Sequence, residues 1–290
     1  MMRNVDQHTI TQAFLDYCSD ETDPRLRIIL ERLAHHLHAF TREVELTHDE
    51  WRKAIEFLTA AGNISTPERN EFILLSDVLG LSSLVDMIHS PKEATASSVL
   101  GPFHITGAPD LPVGGDLKGD NDGDTVIVQG KVLSPDGKPI PGAALEIWQT
   151  AENGLYSNQD TAQPDYNLRA RQVVGEDGRY AFTTVRPAPY TVPDDGPVGD
   201  LLRATGRHPW RPSHLHFIIQ AKGFRTLVTE LFPDDDPYLD EDAVFGVRQD
   251  LTMQYRECSD PNEAPSNLDA KERLTTPFYM IDFDFRLARS

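Results

Sequence analysis

A chain of 290 residues, 39% hydrophobic and 25% charged, is long enough for one large domain or two modest ones with a substantial core. Its formal charge of −19 excludes the basic footprint that nucleic-acid binding needs, and disfavours a strongly anionic substrate unless the site carries its own cation. A neutral phenol meets neither objection. No apolar run approaches the ~20 residues that span a bilayer, and residues 1–8 hold no apolar stretch of the signal-peptide kind. A cytoplasmic chain with no membrane partner is expected. Cys18 and Cys258 stand far apart in no CxxC arrangement, so free thiols are expected, and two cysteines are too few for a structural zinc site or an iron–sulfur cluster.

Residues 9–88 carry a helical pattern. Leu26, Ile29, Leu30, Leu33 and Leu37 recur at three- and four-residue spacing, the stripe of an amphipathic helix. Thr47-His48-Asp49-Glu50 reads as a capping box opening a second helix, with Trp51, Ile55 and Leu58 on its buried side. Thr66-Pro67-Glu68 places a cap and a proline ahead of a helix over residues 72–81. After Pro102 the punctuation changes. Gly and Pro cluster over residues 107–123, which predicts a linker or long surface loop. Residues 126–132 and 144–148 alternate as strands around the Ser134-Pro135-Asp136-Gly137 turn, and Glu176-Asp177-Gly178-Arg179 precedes another strand at 180–182. Residues 214–219, 226–232 and 278–285 complete the set, the last with Tyr279, Ile281, Phe283 and Phe285 on one side. The prediction is an α+β chain: an all-helical domain over residues 1–103, then a β-sandwich over residues 104–290.

Among ten histidines, His35, His36 and His38 fall on an amphipathic helix, where partial exposure is the ordinary expectation. His214-Leu215-His216 differs, because residues two apart on a strand share a face, with Cα atoms ~6.5 Å apart, and both imidazoles can reach one ion. Read alone, such a pair is equally two half-buried histidines. The loop leading into it delivers Arg211 beside the pair, and Tyr190 lies in a stretch (187–193) too rich in proline for a central strand. Tyr190 and Tyr156, taken singly, also read as packing aromatics. Two imidazoles with two phenolates would suit a hard trivalent ion, ferric iron, whose charge would keep the phenols ionised below their ordinary pKa of ~10.

Several motifs in register then carry a resemblance. Gly154-Leu155-Tyr156, Asn167-Leu168-Arg169, the Asp177-Gly178-Arg179-Tyr180 turn, Pro189-Tyr190 followed by Asp195-Gly196-Pro197, and the run from Gly206 through Arg211-Pro212 to His214 and His216 resemble the intradiol dioxygenase family, in this order. Leu100-Gly101-Pro102-Phe103 and the helical first half extend the likeness to nearly the whole chain. The resemblance implies that Tyr156, Tyr190, His214 and His216 hold one Fe(III) per subunit, with a solvent hydroxide completing the site. It implies a homodimer built through the N-terminal helices, often with a phospholipid in an apolar tunnel. It implies insertion of both atoms of O2 into a ring diol: Tyr190 leaves the metal to take one substrate proton, Tyr156 stays bound, and Arg211 stabilises the anionic charge developing on the ring.

Within the family, the segment over residues 187–202, Ser76-Asp77-Val78-Leu79-Gly80-Leu81 with Leu84-Val85-Asp86, and the run from Tyr238 to Gly246 are most similar to the hydroxyquinol-cleaving members. The implied reaction opens benzene-1,2,4-triol to 3-hydroxy-cis,cis-muconate (maleylacetate), with catechol and chlorocatechols as the alternative substrates. The implied pocket is Val99, Gly101, Pro102, Val192, Pro193 and Val244, with Arg211 and Glu230. Many catechol-cleaving relatives carry glutamine where this chain has Glu230. A carboxylate there accepts either from an extra substrate hydroxyl or from Arg211, and Asp86 is the other candidate partner for a third hydroxyl. Two readings from other classes stand beside this one: a non-catalytic β-sandwich binding module, and an Fe(II) oxygenase using His214, His216 and Glu230.

Overall fold

The computed structural model describes residues 5–66 and 69–290, which divide into two units between Ala60 and Ala61. In the first unit, helix α1 (Ile10–Asp16) leads to α2 (Pro24–Glu43). The Asp23 side chain accepts from the Leu26 N–H at 2.9 Å, and Pro24 supplies a first residue whose missing N–H costs nothing. Helix α3 (His48–Ile64) opens on the expected capping box: Glu50 accepts from the Thr47 N–H at 2.9 Å, and Thr47 Oγ1 accepts from the Glu50 N–H at 3.3 Å. The apolar stripes of α2 and α3 are not covered. Leu26, Ile29, Leu33, Leu37 and Phe40, and likewise Trp51, Ile55 and Leu58, remain about half exposed, so the last three are not the buried side expected of them. Some sixty residues in three helices do not supply enough partner surface to cover two long amphipathic faces.

In the second unit, α4 (Glu71–Val78) starts where the Asn70 side chain accepts from the Phe72 and Ile73 N–H groups at 3.0 and 3.1 Å. Pro67 and Glu68 of the predicted cap lie outside the described residues; the helix itself begins later. It also ends earlier than expected. Gly80, at φ 73°, turns the chain into α5 (Leu81–His89) in a conformation that glycine adopts without strain. Thirteen strands and one α-helix, with four short 3-10 turns between the later strands, follow among the described residues: β1 (Gly115–Asp116), β2 (Thr125–Leu133), β3 (Ala144–Gln149), β4 (Arg169–Val173), β5 (Arg179–Val185), β6 (Tyr190–Thr191), α6 (Pro197–Ala204), β7 (Trp210–Arg211), β8 (Leu215–Gln220), β9 (Leu227–Pro233), β10 (Thr252–Met253), β11 (Arg256–Cys258), β12 (Phe278–Asp282) and β13 (Phe285–Arg286). The glycine-rich stretch before β2 is not a free linker, since β1 pairs parallel with β5.

One sheet runs β1-β5-β2-β12-β11, with β13 also on β2; the other runs β10-β9-β8-β3-β4. Val126, Val128 and Phe182 from the first meet Leu145, Ile147, Leu215, Phe217 and Leu231 from the second in the sandwich core. The alternation that sends those residues inward sends their neighbours outward. Trp148 on β3 stands opposite Arg169 on β4 and His216 on β8, and His216 stands opposite Glu230 on β9. These four form one row on the outer face of the second sheet. A solvated face would be the ordinary fate of such a row, but all four residues are buried.

The predicted single strand over residues 278–285 is broken into β12 and β13. At the break, the Phe283 N–H donates to the Gln129 carbonyl at 2.9 Å and the Phe283 carbonyl accepts from the Tyr180 hydroxyl at 2.7 Å, so that Phe283 crosses directly over Gly130. A Cβ on Gly130 would sit 1.7 Å from the Phe283 carbonyl oxygen. Gly130→Ala is therefore expected to destabilise the protein by about 1–3 kcal/mol, read as a lower denaturant midpoint. An unchanged midpoint would show that this crossing yields easily.

Candidate metal and active site

Four side chains from three segments converge behind that sheet face. His216 projects from β8, and its ring stacks on Trp148 with centroids 4.5 Å apart and planes 5° from parallel. His214 lies one residue before β8, at the end of the proline-rich loop. Its Nδ1 is 2.7 Å from the Pro212 carbonyl oxygen, so Nδ1 carries the proton and Nε2 presents a lone pair. The two Nε2 atoms are 3.1 Å apart. Tyr156, in the loop after β3, places its phenol oxygen 3.1 Å from His216 Nε2 and 3.4 Å from His214 Nε2. Phe103 stacks on the Tyr156 ring at 4.8 Å and fixes its plane. Tyr190, on β6, meets Tyr156 edge-on at 5.4 Å and lies 5.5 Å, ring to ring, from His214. The two-stranded ribbon of β6 and β7 sets Tyr190 directly opposite Arg211.

Burial governs the ionisation of this group. It pulls His214 down to about 4 and His216 well below the ordinary imidazole range, so both rings are neutral. It also pushes the phenols of Tyr156 and Tyr190 upward, with the Tyr190 neighbour adding to the effect on Tyr156. Two imidazole lone pairs and a phenol oxygen facing one another in a dry site share too few protons to satisfy all three. A metal ion resolves that shortage, because it accepts every one of these donors and offsets the cost of a buried phenolate. The residues present therefore fit a metal centre. His216 Nδ1, buried without a well-aligned acceptor, has Glu230 Oε1 3.4 Å away, the placement of a carboxylate behind a metal-bound imidazole.

Arg211 organises the charged side of the site. It is almost fully buried, and its Nη1 and Nη2 donate to Glu230 Oε1 and Oε2 at 2.8 and 3.1 Å. Its Nε and Nη2 donate to Asp242 Oδ1 and Oδ2 at 3.0 and 3.2 Å. Nη1 also reaches the Tyr190 hydroxyl at 3.4 Å and lies 3.3 Å from His214 Nε2. Glu230 accepts in addition from the Ser98 hydroxyl at 2.5 Å. Burial alone would raise the Glu230 pKa, but the Arg211 charge and the hydrogen bonds from Arg211 and Ser98 hold it below the usual carboxylate range. Asp242 accepts from the Val244 and Gly246 N–H groups at 3.2 and 2.8 Å, tying the guanidinium to the loop beyond it.

Beside Tyr190 and Arg211 lies a cavity of about 180 Å³, walled by Val99, Gly101, Pro102, Val192, Pro193 and Val244. These six, named from the sequence as wall candidates, share the lining with Tyr190 and Arg211. Glu230 is not part of this lining, because Ser98 and Arg211 occupy its oxygens. Asp86 is not part of it either; it lines a separate cleft with Arg225 and Arg286. Seven further wall residues escaped sequence reasoning: Arg69, Asn70, Glu71, Ile73, Leu74, Asp77 and Phe103. Asp77 is a buried carboxyl whose pKa is raised chiefly by desolvation. Asp242 escaped as well. Both acids stand in segments singled out only for their likeness to relatives, and nothing local in the sequence links residue 77 or 242 to residue 211. A larger open cleft of about 500 Å³ around Ser83, Arg207 and Arg248 contains none of the converging donors.

Residues 101–288 match the family model described as Dioxygenase, and residues 23–97 the one described as Catechol dioxygenase N terminus. The chain belongs to the intradiol ring-cleavage dioxygenases, enzymes that depend on a bound metal. It is 47% identical over 273 residues to a hydroxyquinol 1,2-dioxygenase of Rhizobium sp. (strain MTP-10005), covering 93% of this chain and 91% of that one. It is 44% identical to a 6-chlorohydroxyquinol 1,2-dioxygenase of Cupriavidus pinatubonensis, over 99% of both. The crystal structure of hydroxyquinol 1,2-dioxygenase from Pseudomonas putida DLL-E4 superposes with a TM-score of 0.90 at 44% identity, covering 98% of this chain and 99% of that one. Among the described residues, no single helix is long and apolar enough to cross a membrane.

The buried ion cluster has a direct consequence for stability. Arg211→Met leaves Glu230 and Asp242 in the interior without their cation and is expected to cost about 3–5 kcal/mol. Asp242→Asn, which keeps the shape of the loop and one acceptor oxygen, is expected to cost less. Chemical denaturation of the two variants orders them; equal midpoints would mean that the two acids do not depend on Arg211.

Proposed function

We propose that this enzyme cleaves hydroxyquinol between its two adjacent oxygen-bearing carbons, using O2 and an Fe(III) held by Tyr156, Tyr190, His214 and His216. The observation that carries the reading is the convergence of two phenols and two neutral imidazoles beside a small, largely apolar cavity whose wall includes the buried carboxyls of Asp77 and Glu71. Two phenolate ligands suit a hard trivalent ion better than a divalent one. Held by these four residues, ferric iron would supply a Lewis-acidic, redox-active centre that the diol could chelate and that would open it to reaction with O2. The remaining work belongs to the side chains. Tyr190 lines the cavity and takes one of the two protons that the diol must lose, while Tyr156, fully buried behind it, stays in place. Arg211 is held rigidly by two carboxylates with Nη1 aimed past Tyr190, where it stabilises anionic charge on the ring. Val99, Val192 and Val244 exclude water from the reacting carbons.

Asp77 supports hydroxyquinol over catechol. A third hydroxyl entering a largely apolar cavity needs a polar partner, and Asp77 offers a buried carboxyl whose pKa burial raises, whereas Glu71, the other acid of the wall, is already engaged by Arg69 and the Val198 N–H. The relatives named above act on hydroxyquinols, by their names. In the same reading, residues 1–103 form the dimerisation half and residues 104–290 the catalytic half. The half-exposed faces of α2 and α3 join two subunits and line a lipid tunnel, and the enzyme works in the cytoplasm.

One observation favours a second reading: ligand atoms of His214, His216 and Glu230 all lie within 4.8 Å of one another, the set for an Fe(II) oxygenase. Against it, both Glu230 oxygens already accept hydrogen bonds from Arg211, and one accepts from Ser98 too. The spectra of the iron-loaded protein separate the two. Under the proposed ligand set, Tyr156→Phe loses the tyrosinate-to-iron absorption band and Tyr190→Phe alters it markedly; both variants retaining the native band would sink that set. Removing the iron with a chelator is expected to abolish activity and lower the melting temperature, because the ion binds only the folded site. Oxygen uptake with hydroxyquinol, catechol and 4-chlorocatechol, corrected for autoxidation, tests the substrate. Asp77→Leu is expected to lower kcat/KM for hydroxyquinol about 5- to 150-fold relative to catechol, the equivalent of one unpaired hydroxyl at ~1–3 kcal/mol. An unchanged ratio would remove Asp77 from the argument.

A further inference from the structure

Two guanidinium groups are buried at this site, and they are held in opposite ways. Arg211 has two carboxylates. Arg169, 3% exposed, has none within ion-pairing distance among the described residues. Its Nε donates to Ser157 Oγ at 2.8 Å and its Nη2 to Asn158 Oδ1 at 3.0 Å, while Nη1 has no acceptor. Both acceptors are neutral, and they are the two residues that follow Tyr156. The guanidinium carbon lies over the Tyr156 ring, 5.7 Å from its centroid.

The backbone supports this placement from two directions. Arg169 stands opposite Trp148 in the sheet, and Trp148 carries the stacked His216 ring. The chain enters β4 through Tyr166 and Leu168, both in the left-handed region at φ 58° and 54°, a strained entry that persists only where the surroundings enforce it. Hydrogen bonds to Ser157 and Asn158 could be supplied by a neutral side chain. A buried positive charge with no counter-ion is costly, and a neutral residue would avoid that cost. The group beside Arg169 that carries negative charge in the metal-loaded protein is Tyr156 itself, if it is a ligand as proposed above.

We propose that Arg169 is a positioning residue for the metal centre: its fixed charge over the Tyr156 ring is the counter-ion of that phenolate and sets how strongly the phenolate oxygen donates to the metal. A cation on the ring face lowers the energy of the phenolate's filled orbitals, so the tyrosinate-to-iron transition moves to higher energy. Removing the charge moves it back.

The test uses the full-length, iron-loaded protein and reads band position and iron content. Arg169→Gln, which keeps a donor but loses the charge, shifts the band to longer wavelength. Arg169→Lys, which keeps the charge, stays near the parent, and so does Ser157→Ala, which removes one hydrogen bond alone. A glutamine variant that folds but holds no iron, while the lysine variant holds it, also supports the charge. The proposal fails if the glutamine variant keeps the parent band, if lysine and glutamine shift it equally, if Ser157→Ala shifts it as far as glutamine, or if both Arg169 variants lose iron. Tyr156→Phe separates the two levels of inference. If it retains the native band, Tyr156 is not a ligand and the reading beneath has failed; if it loses the band while charge at 169 has no effect, only the role of Arg169 has failed.

Discussion

A guanidinium clamped between two interior carboxylates is the constraint from which the rest of the site follows. Arg211 cannot rotate, because Glu230 and Asp242 hold four of its five N–H directions between them. Each acid in turn fixes something else. Glu230 stands behind His216 and accepts from Ser98, so that its carboxylate links the guanidinium to the imidazole pair. Asp242 accepts from two backbone N–H groups of the loop carrying Val244, so the wall of the cavity and the cation facing it move as one body. Replacing the cluster with apolar residues would leave the stability of the fold much as it is, since buried ion networks rarely contribute net stability. Its presence is better explained by the geometry that it enforces.

The location of the site reverses the usual economy of a sandwich. Two sheets pack their apolar faces together, and the outer faces ordinarily meet water. Here the outer face of the second sheet carries Arg169, Trp148, His216 and Glu230 in register across four strands, and all four are buried. Strands hold a row of side chains to a spacing that no loop can maintain, which is why rigid elements suit sites that need their donors within a fraction of an ångström. A short ribbon and the loops then add the rest: Tyr190, and the valines and prolines of the cavity wall.

Residues close in sequence were legible. The period of two in His214-Leu215-His216 predicts a shared face, although His214 falls just outside the strand, and the Thr47 to Glu50 box predicts the start of α3. The strands of the core were readable because inward residues alternate with outward ones. What could not be read depends on distant residues meeting. The crossing of Phe283 over Gly130 breaks the last strand with no local sign. Asp77 and Asp242 look like any acids in an acidic chain until the fold buries them beside Arg211. The α2 and α3 stripes predict burial, but among the described residues of this chain they stay about half exposed.

The electrostatics of the donors leave a particular task to the protein. Burial keeps both imidazoles neutral, which metal ligation requires, and the same burial opposes ionisation of both phenols, which ligation also requires. One environment cannot serve both needs by desolvation alone. Local positive charge must favour the phenolates without protonating or displacing the imidazoles, so it has to be permanent and fixed in position rather than titratable. Arginine meets that requirement and lysine meets it less well, because the guanidinium keeps its proton when buried and its planar fork is locked by several hydrogen bonds at once. Arg211 at Tyr190 and Arg169 at Tyr156 place one such charge beside each phenol. An acidic chain thus places a fixed cation beside each of these two buried phenols. Selectivity for one ring over another must then come from the cavity wall, where the donors do not reach.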